Sequence, residues 1–238
     1  YPHRDVAALD GLLAGSPAAR KLVVTDTLFS MDGTHAPLAD LAAVAARHGA
    51  ILMVDEAHAT GVFGARGSGL VEECSCADGV HVRVGTLSKA LGAGGGFVAG
   101  HAALVEFLRH RARAWIFSTA HPPAVAAAAT RAIGLRAAEP DRRRDLRVRA
   151  ADFRERLARG GIDTGDAAAQ IVPVVAGEAA ASVALAAALA AEGFFVPAIR
   201  PPSVPTGKSL VRAGVCWHHT ESDLERLAAA VVRHAPRG

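Results

Sequence analysis

Three short apolar runs, each breaking off at a polar cluster, constrain this chain most. They are KLVVTD (21–26), AILMVDEA (50–57) and VHVRVGT (80–86). The first two read as buried strands, the second with its acidic end emerging where the apolar run stops. Between them PLADLAAVAARHGA (37–50) has helical spacing, with Leu38, Leu41, Ala42 and Ala45 on one face and Gly49 as its stop. GFVAG (96–100) is a further strand and AWIFSTA (114–120) another candidate. Strands alternating with helices predict an α/β domain around a largely parallel sheet. Sheets of that kind bind ligands beyond the carboxyl ends of their strands.

From residue 140 the pattern changes. DRRRDLRVRAADFRERLARGG (141–161) predicts a long amphipathic helix with Leu146, Ala150, Phe153 and Leu157 as its apolar stripe. Its arginines are interleaved with acids and read as a solvated face rather than a nucleic-acid surface. After it come a strand (170–175), a helix (178–191), strands at 193–199 and 210–216, and a helix (220–234). This predicts a smaller α+β domain. The division is placed at 1–145 and 146–238.

The chain has 238 residues, 51% hydrophobic and 21% charged, a globular composition. A net charge of +3, from 26 basic and 23 acidic residues, gives no reason to expect nucleic acid as a partner. Cys74, Cys76 and Cys216 are odd in number with no C-x-x-C pair, so they read as free thiols of a reducing compartment, with no metal site. The apolar run at 179–191 is shorter than the roughly 20 residues that cross a bilayer. These features predict a cytoplasmic protein that does not use a membrane.

The chain contains only 3 lysines, and one of them, Lys89, sits in VGTLSKALGAGGG (84–96). Arginine stays protonated in proteins and cannot form an imine, whereas lysine can. Thr86 and Ser88 offer hydroxyls for an anion such as phosphate, and the glycines let backbone approach a bulky ring. Taken alone, Lys89 reads first as a surface lysine in a flexible loop. Asp55 ends a strand at its carboxyl edge with His58 three residues on. A carboxylate there can keep a pyridine nitrogen protonated; the plainer readings are a helix cap and a loop histidine. Ser30, followed by Asp32-Gly33, comes after another strand and is either a simple turn or a third contributor to the same crevice.

Two motif matches fail. DEAH (55–58) also occurs in ATP-driven helicases, but the nearest phosphate-loop match, PSVPTGKS (202–209), lacks its first glycine and follows the DEAH instead of preceding it. TLSK (86–89) matches the S-x-x-K of penicillin-binding proteins only with threonine as nucleophile, and no S-D-N or K-T-G follows.

At FSMDG, VDEAHATGVFGARGSGL, GTLSKALGAGGGFVAG, IFSTA, QIVPVVAG and IRPPSVP the chain closely resembles the α-oxoamine synthases. These are pyridoxal 5'-phosphate enzymes of fold type I, with a mainly parallel large domain and a smaller C-terminal α+β domain. The resemblance runs from near residue 22 to the C-terminus. DEAHATG with IRPPSVP favours the members that condense L-alanine with a pimeloyl thioester, pimeloyl-CoA or pimeloyl carrier protein, in biotin biosynthesis. Relatives using glycine or serine with another acyl-CoA remain an alternative.

The resemblance implies catalytic roles for Lys89, His58 and Asp55. Lys89 would hold the cofactor and move the α-proton, and Asp55 would pair with the ring nitrogen. His58 and Ser30 would lie near the phenolic oxygen and Thr86 would bind phosphate. Ser118 and Thr119 would reach the phosphate of a partner subunit, which implies a homodimer. Ser203, Arg200 and Arg212 would contact substrate.

Family members also carry an N-terminal region with an aromatic side chain, usually histidine, that stacks on the cofactor. YPHRD at the start matches the point where the family chain resumes after it. A truncated chain with weak or no activity is therefore expected, and a non-catalytic homologue is the third reading. TGKSLVRAGVCWHH (206–219) departs from the family pattern, keeping only Arg212 in place, and Trp217 is expected to reshape the acyl site.

Overall fold

The computed structural model describes residues 1–236. It separates into two compact units, one formed by Tyr1–Leu28 and Ala36–Pro140, the other by Phe29–His35 and Asp141–Gly238. The division expected at residue 145 falls inside a helix that runs unbroken over Asp141–Arg159. Phe29–His35 joins the second unit because Gly33 O accepts a hydrogen bond from Ala168 N at 3.1 Å. At Gly33 φ is +68°, and a Cβ would stand 2.3 Å from the Ile171 carbonyl oxygen, so only glycine fits this crossing.

In the first unit, β1 (Leu22–Asp26), β2 (Ile51–Asp55), β3 (Val82–Thr86) and β4 (Gly96–Gly100) form one sheet in that order. The first three are parallel and β4 is antiparallel to β3. Helix α1 (Val6–Gly15) is capped by Asp5, whose Oδ1 accepts from Ala8 N at 2.8 Å. Helix α2 (Leu38–Arg47) ends at His48, with Gly49 at φ +60° as the expected stop. Its Leu38, Leu41, Val44 and Ala45 are buried, as are Val23, Leu52 and Val54 of the strands.

The strand KLVVTD is not fully buried, contrary to its apolar sequence. Val23 and Thr25 are covered, but Leu22 and Val24 are 58% and 53% exposed, and Ile51 beside them 45%. Parallel strands become continuously apolar when both faces are covered. Here, among the described residues, only one face is. β4 is exposed along its whole length. AWIFSTA is not a strand. It begins as the short helix Arg113–Ile116, because Ile116 N and Phe117 N bond back to Ala112 O and Arg113 O.

The second unit packs the helix Asp141–Arg159 and the helices Ala179–Ala191 and Glu221–His234 against an antiparallel sheet. Its strands are Ile171–Gly177, Ala198–Ile199 and Ser209–Gly214, the last in the centre. The expected stripe holds: Ala150, Phe153 and Leu157 are buried and Leu146 packs against them. Full burial of a side chain the size of Phe153 or Leu157 is worth about 1.5–3 kcal/mol. Not all the arginines of this helix are solvated. Arg143 is buried, Arg149 donates to the Trp217 and His219 carbonyls, and Arg154 to that of Ala169. The strand expected over 193–199 shrinks to its last two residues. No described helix is long and apolar enough to cross a membrane.

Candidate active site

The carboxyl ends of β1, β2 and β3 are in register, with Asp26 beside Asp55 and Asp55 beside Val84. Past the strand ends the ladder continues: Thr27 N donates to Asp55 O at 2.9 Å and Glu56 N to Val84 O at 2.7 Å. Asp55 is half-buried. Its Oδ1 accepts from Ala57 N at 2.7 Å, so the plainer cap reading accounts for one of its oxygens. Its other oxygen has no hydrogen-bond partner among the described residues and is available to a ligand.

The chain then turns back on itself. Ala59 N and Thr60 N both donate to Glu56 O, at 2.9 and 2.7 Å, and this turn carries His58 between them. Beyond β3, Leu87 N bonds Gly95 O at 2.9 Å and Ala93 N bonds Leu87 O at 2.8 Å, closing a loop that displays Lys89. Gly95 has φ +91° there. The two turns meet: Lys89 Nζ lies 2.9 Å from His58 Nε2. Gly61, at φ +84°, makes the approach possible, since a Cβ would lie 2.8 Å from Ala90 Cβ.

Thr86 spends its hydroxyl locally. It donates to Gly95 O at 3.1 Å, accepts from Ser88 N at 3.2 Å, and lies 2.7 Å from Ser88 Oγ. With the Thr86 proton given to Gly95 O, the exposed Ser88 hydroxyl is the donor of the pair. Ser118 and Thr119 are exposed, and Ser118 Oγ bonds back to Ala114 O at 2.6 Å.

The remaining expected residues belong to the second unit. Ser30 is half-buried in the 29–35 turn, where Asp32 Oδ1 accepts from Thr34 N and Oγ1 at 2.9 and 2.8 Å. Arg200 and Ser203 are exposed in one turn, with Ser203 N on Arg200 O at 3.0 Å. Arg212 stands on the central strand. Its Nε is buried without a partner, and burial pushes its pKa down. An unsatisfied guanidinium N–H is costly, and an anion removes that cost.

Sequence reasoning passed over Glu56. It is only 2% exposed, and its carboxylate accepts from Thr27 Oγ1, Leu70 N and Val71 N at 2.9, 2.9 and 2.8 Å. Burial pushes its pKa above the usual range, against the pull of these donors. The signal was available: Leu52, Val54 and Glu56 follow the alternation of a strand, so residue 56 falls on the core side and Asp55 on the other.

This chain matches the description "Aminotransferase class I and II" over residues 1–231. It is 50% identical to an 8-amino-7-oxononanoate synthase of Anaeromyxobacter dehalogenans and 48% to one of Geobacter sulfurreducens, matching 99% and 98% of its own length. It spans 59% and 60% of theirs. Among solved structures it is similar to serine palmitoyltransferase of S. paucimobilis bound to a PLP–myriocin aldimine. That match has a TM-score of 0.93 and 32% identity, covering 98% of this chain and 59% of the other. An 8-amino-7-oxononanoate synthase of Francisella tularensis, at TM-score 0.83 and 23% identity, shares the fold; 98% of this chain and 67% of that one are covered. A family match over nearly the whole chain, on a sheet whose strand ends carry Asp55, His58 and Lys89, shows that this chain belongs to the class I and II aminotransferase family, in the fold of the type I pyridoxal phosphate transferases.

Proposed function

We propose that the chain carries the cofactor-binding half of a pyridoxal phosphate-dependent C-acyltransferase. The reaction condenses L-alanine with a pimeloyl thioester, releasing carbon dioxide and the thiol and leaving 8-amino-7-oxononanoate for biotin synthesis. The observation that carries this reading is the 2.9 Å approach of the Lys89 amine to His58, on the turn that leaves Asp55. The names of relatives near 50% identity support the substrate assignment.

The residues present fit the cofactor: an amine able to lose its proton, a carboxylate with an oxygen to spare, an imidazole at the amine, and hydroxyls at a strand end. When bound, pyridoxal phosphate supplies a sink for the electrons freed at the amino acid's α-carbon. Lys89 is the residue that would hold the cofactor, and its amine would take the α-proton of the bound amino acid and return it. His58 Nε2 orients that amine. Asp55 keeps the ring nitrogen protonated by opposing its charge. Thr86 and Ser88 would offer hydroxyls to the cofactor's phosphate, and Ser30 would be the residue given to its phenolic oxygen. Arg212, with Arg200 and Ser203, receives the substrate's carboxylate and acyl groups.

The protein is read as a cytoplasmic homodimer. Trp115 and Phe117, 67% and 72% exposed beside Ser118 and Thr119, support a partner subunit on that segment. A second reading is a non-catalytic homologue that keeps the fold and serves as a partner, which the exposed Leu22, Val24 and Ile51 support. A third is a related synthase using glycine or serine, which the likeness to serine palmitoyltransferase supports.

The deciding experiment adds pyridoxal phosphate, reduces with borohydride and maps the modified residue by mass spectrometry. Modification of Lys89 is expected; an unmodified chain overturns the cofactor reading. Incubation with alanine, glycine and serine and defined thioesters then separates the synthase readings.

A further inference from the structure

We propose that Glu56 is a positioning residue: its buried carboxylate ties the far end of the 57–69 loop back to the residue from which the loop starts, and so sets where His58 meets Lys89. The proposal rests on the cofactor reading above only for its consequence on ligand binding. The clamp itself is a statement about this chain alone.

The geometry is a closed set of hydrogen bonds around one residue. At the near end of the loop, the Glu56 backbone carbonyl accepts from Ala59 N and Thr60 N, closing the turn that carries His58. At the far end, Glu56 Oε2 accepts from Leu70 N at 2.9 Å and Oε1 from Val71 N at 2.8 Å. Across the sheet, Thr27 Oγ1 lies 2.9 Å from Oε2 and 3.3 Å from Asp55 O, so one hydroxyl ties β1 to both acidic residues. Gly69 completes the pocket: its φ is +124°, and a Cβ would stand 2.2 Å from Glu56 Oε2.

This is an acceptor-only site, filled by three donors. Glutamine cannot replace glutamate in it. Whichever way the amide is turned, its NH2 faces the N–H of Leu70 or of Val71, and one backbone donor loses its partner. Loss of the clamp frees the loop at its far end, and the His58 turn with it. Asp55, one residue before, is held by the strand ladder and its bond from Ala57 N. The effect is therefore expected on His58 and Lys89 geometry first.

The test uses the full chain in four variants: Glu56→Gln, Thr27→Val, Thr27→Ser, and Thr220→Ala as a control. Thr220 caps a helix of the second unit, with Asp223 N on its Oγ1 at 3.1 Å, so its loss lowers stability without touching the clamp. Hydrogen exchange of the 57–63 peptide, read by mass spectrometry without cofactor, should quicken about tenfold or more in Glu56→Gln and less in Thr27→Val. Thr27→Ser and Thr220→Ala should match wild type. With pyridoxal phosphate, its dissociation constant should rise about tenfold and its visible circular dichroism weaken in Glu56→Gln.

If Glu56→Gln and Thr27→Val lose stability but leave exchange at 57–63 where Thr220→Ala leaves it, Glu56 is merely structural and the proposal fails. If Glu56→Gln does not fold, Thr27→Val against Thr27→Ser decides by the same measure. If wild type itself does not take up pyridoxal phosphate, the cofactor reading fails, while the exchange comparison still decides the clamp.

Discussion

Lys89 Nζ and His58 Nε2 lie 2.9 Å apart, although 31 residues separate them in the chain. Two tight turns, one leaving β2 and one leaving β3, bring them together because the strands are adjacent and parallel. That contact orients the amine before any ligand arrives. Lys89→Arg preserves the positive charge and removes the chemistry, since a guanidinium cannot form an imine. Borohydride reduction with pyridoxal phosphate should therefore label wild type and leave the variant unlabelled, with thermal stability within about 0.5 kcal/mol.

Asp55→Asn is expected to fold normally. The amide oxygen can still accept from Ala57 N, the one side-chain bond Asp55 makes at 2.7 Å. What disappears is the negative charge that the proposed reading sets opposite the cofactor's ring nitrogen. Exchange of the α-proton of L-alanine in deuterated water, followed by NMR, should slow by about a hundredfold or more. A rate equal to wild type would remove Asp55 from the site.

Gly61→Ala tests the meeting of the two turns without changing any polar group. Its backbone sits at φ +84°, and the added methyl would stand 2.8 Å from Ala90 Cβ. The strain and the displaced Lys89 loop should together lower stability by about 1–3 kcal/mol and weaken cofactor uptake. Urea denaturation and a fluorescence titration measure the two effects.

Glu72 gives an acid dependence. Burial opposes its ionisation, but hydrogen bonds from Ser68 N and from the Arg66 side chain and N–H outweigh that and hold its pKa at about 2. The folded value lies below the unfolded one, so the carboxylate stabilises the fold above the ordinary glutamate range. The contribution, on the order of 1–2 kcal/mol with allowance for partial solvent screening, is lost as pH falls from about 4.5 towards 2. Glu72→Gln should flatten that part of a melting-temperature profile and leave neutral-pH cofactor binding within about twofold.

Much of this was legible before any coordinates. The strand-helix order, the stripe through Ala150, Phe153 and Leu157, and the stop at Gly49 follow from periodicity and backbone chemistry, which act over a few residues. The picture failed where distant atoms decide. KLVVTD looked like a strand buried on both sides, yet Leu22 and Val24 are exposed, because burial depends on what packs over a strand and not on the strand's own residues. AWIFSTA contains strand-forming side chains, but its first residues close a helical turn. The sequence also did not say which partners the Thr86 hydroxyl meets within its own loop, Gly95 O and Ser88 Oγ.

The sequence by itself determined which residues stand at the ends of the strands, and so put an amine, an imidazole and a carboxylate within one strand-end pattern. Strand alternation already turns Glu56 to the core side and Asp55 to the other; tertiary structure alone decided that the enclosed acid would find donors. Glu56 finds its donors 14, 15 and 29 residues away, at Leu70, Val71 and Thr27, while one Asp55 oxygen is left without a partner among the described residues. A buried carboxylate is tolerable only with such donors in place, and no local pattern can announce them.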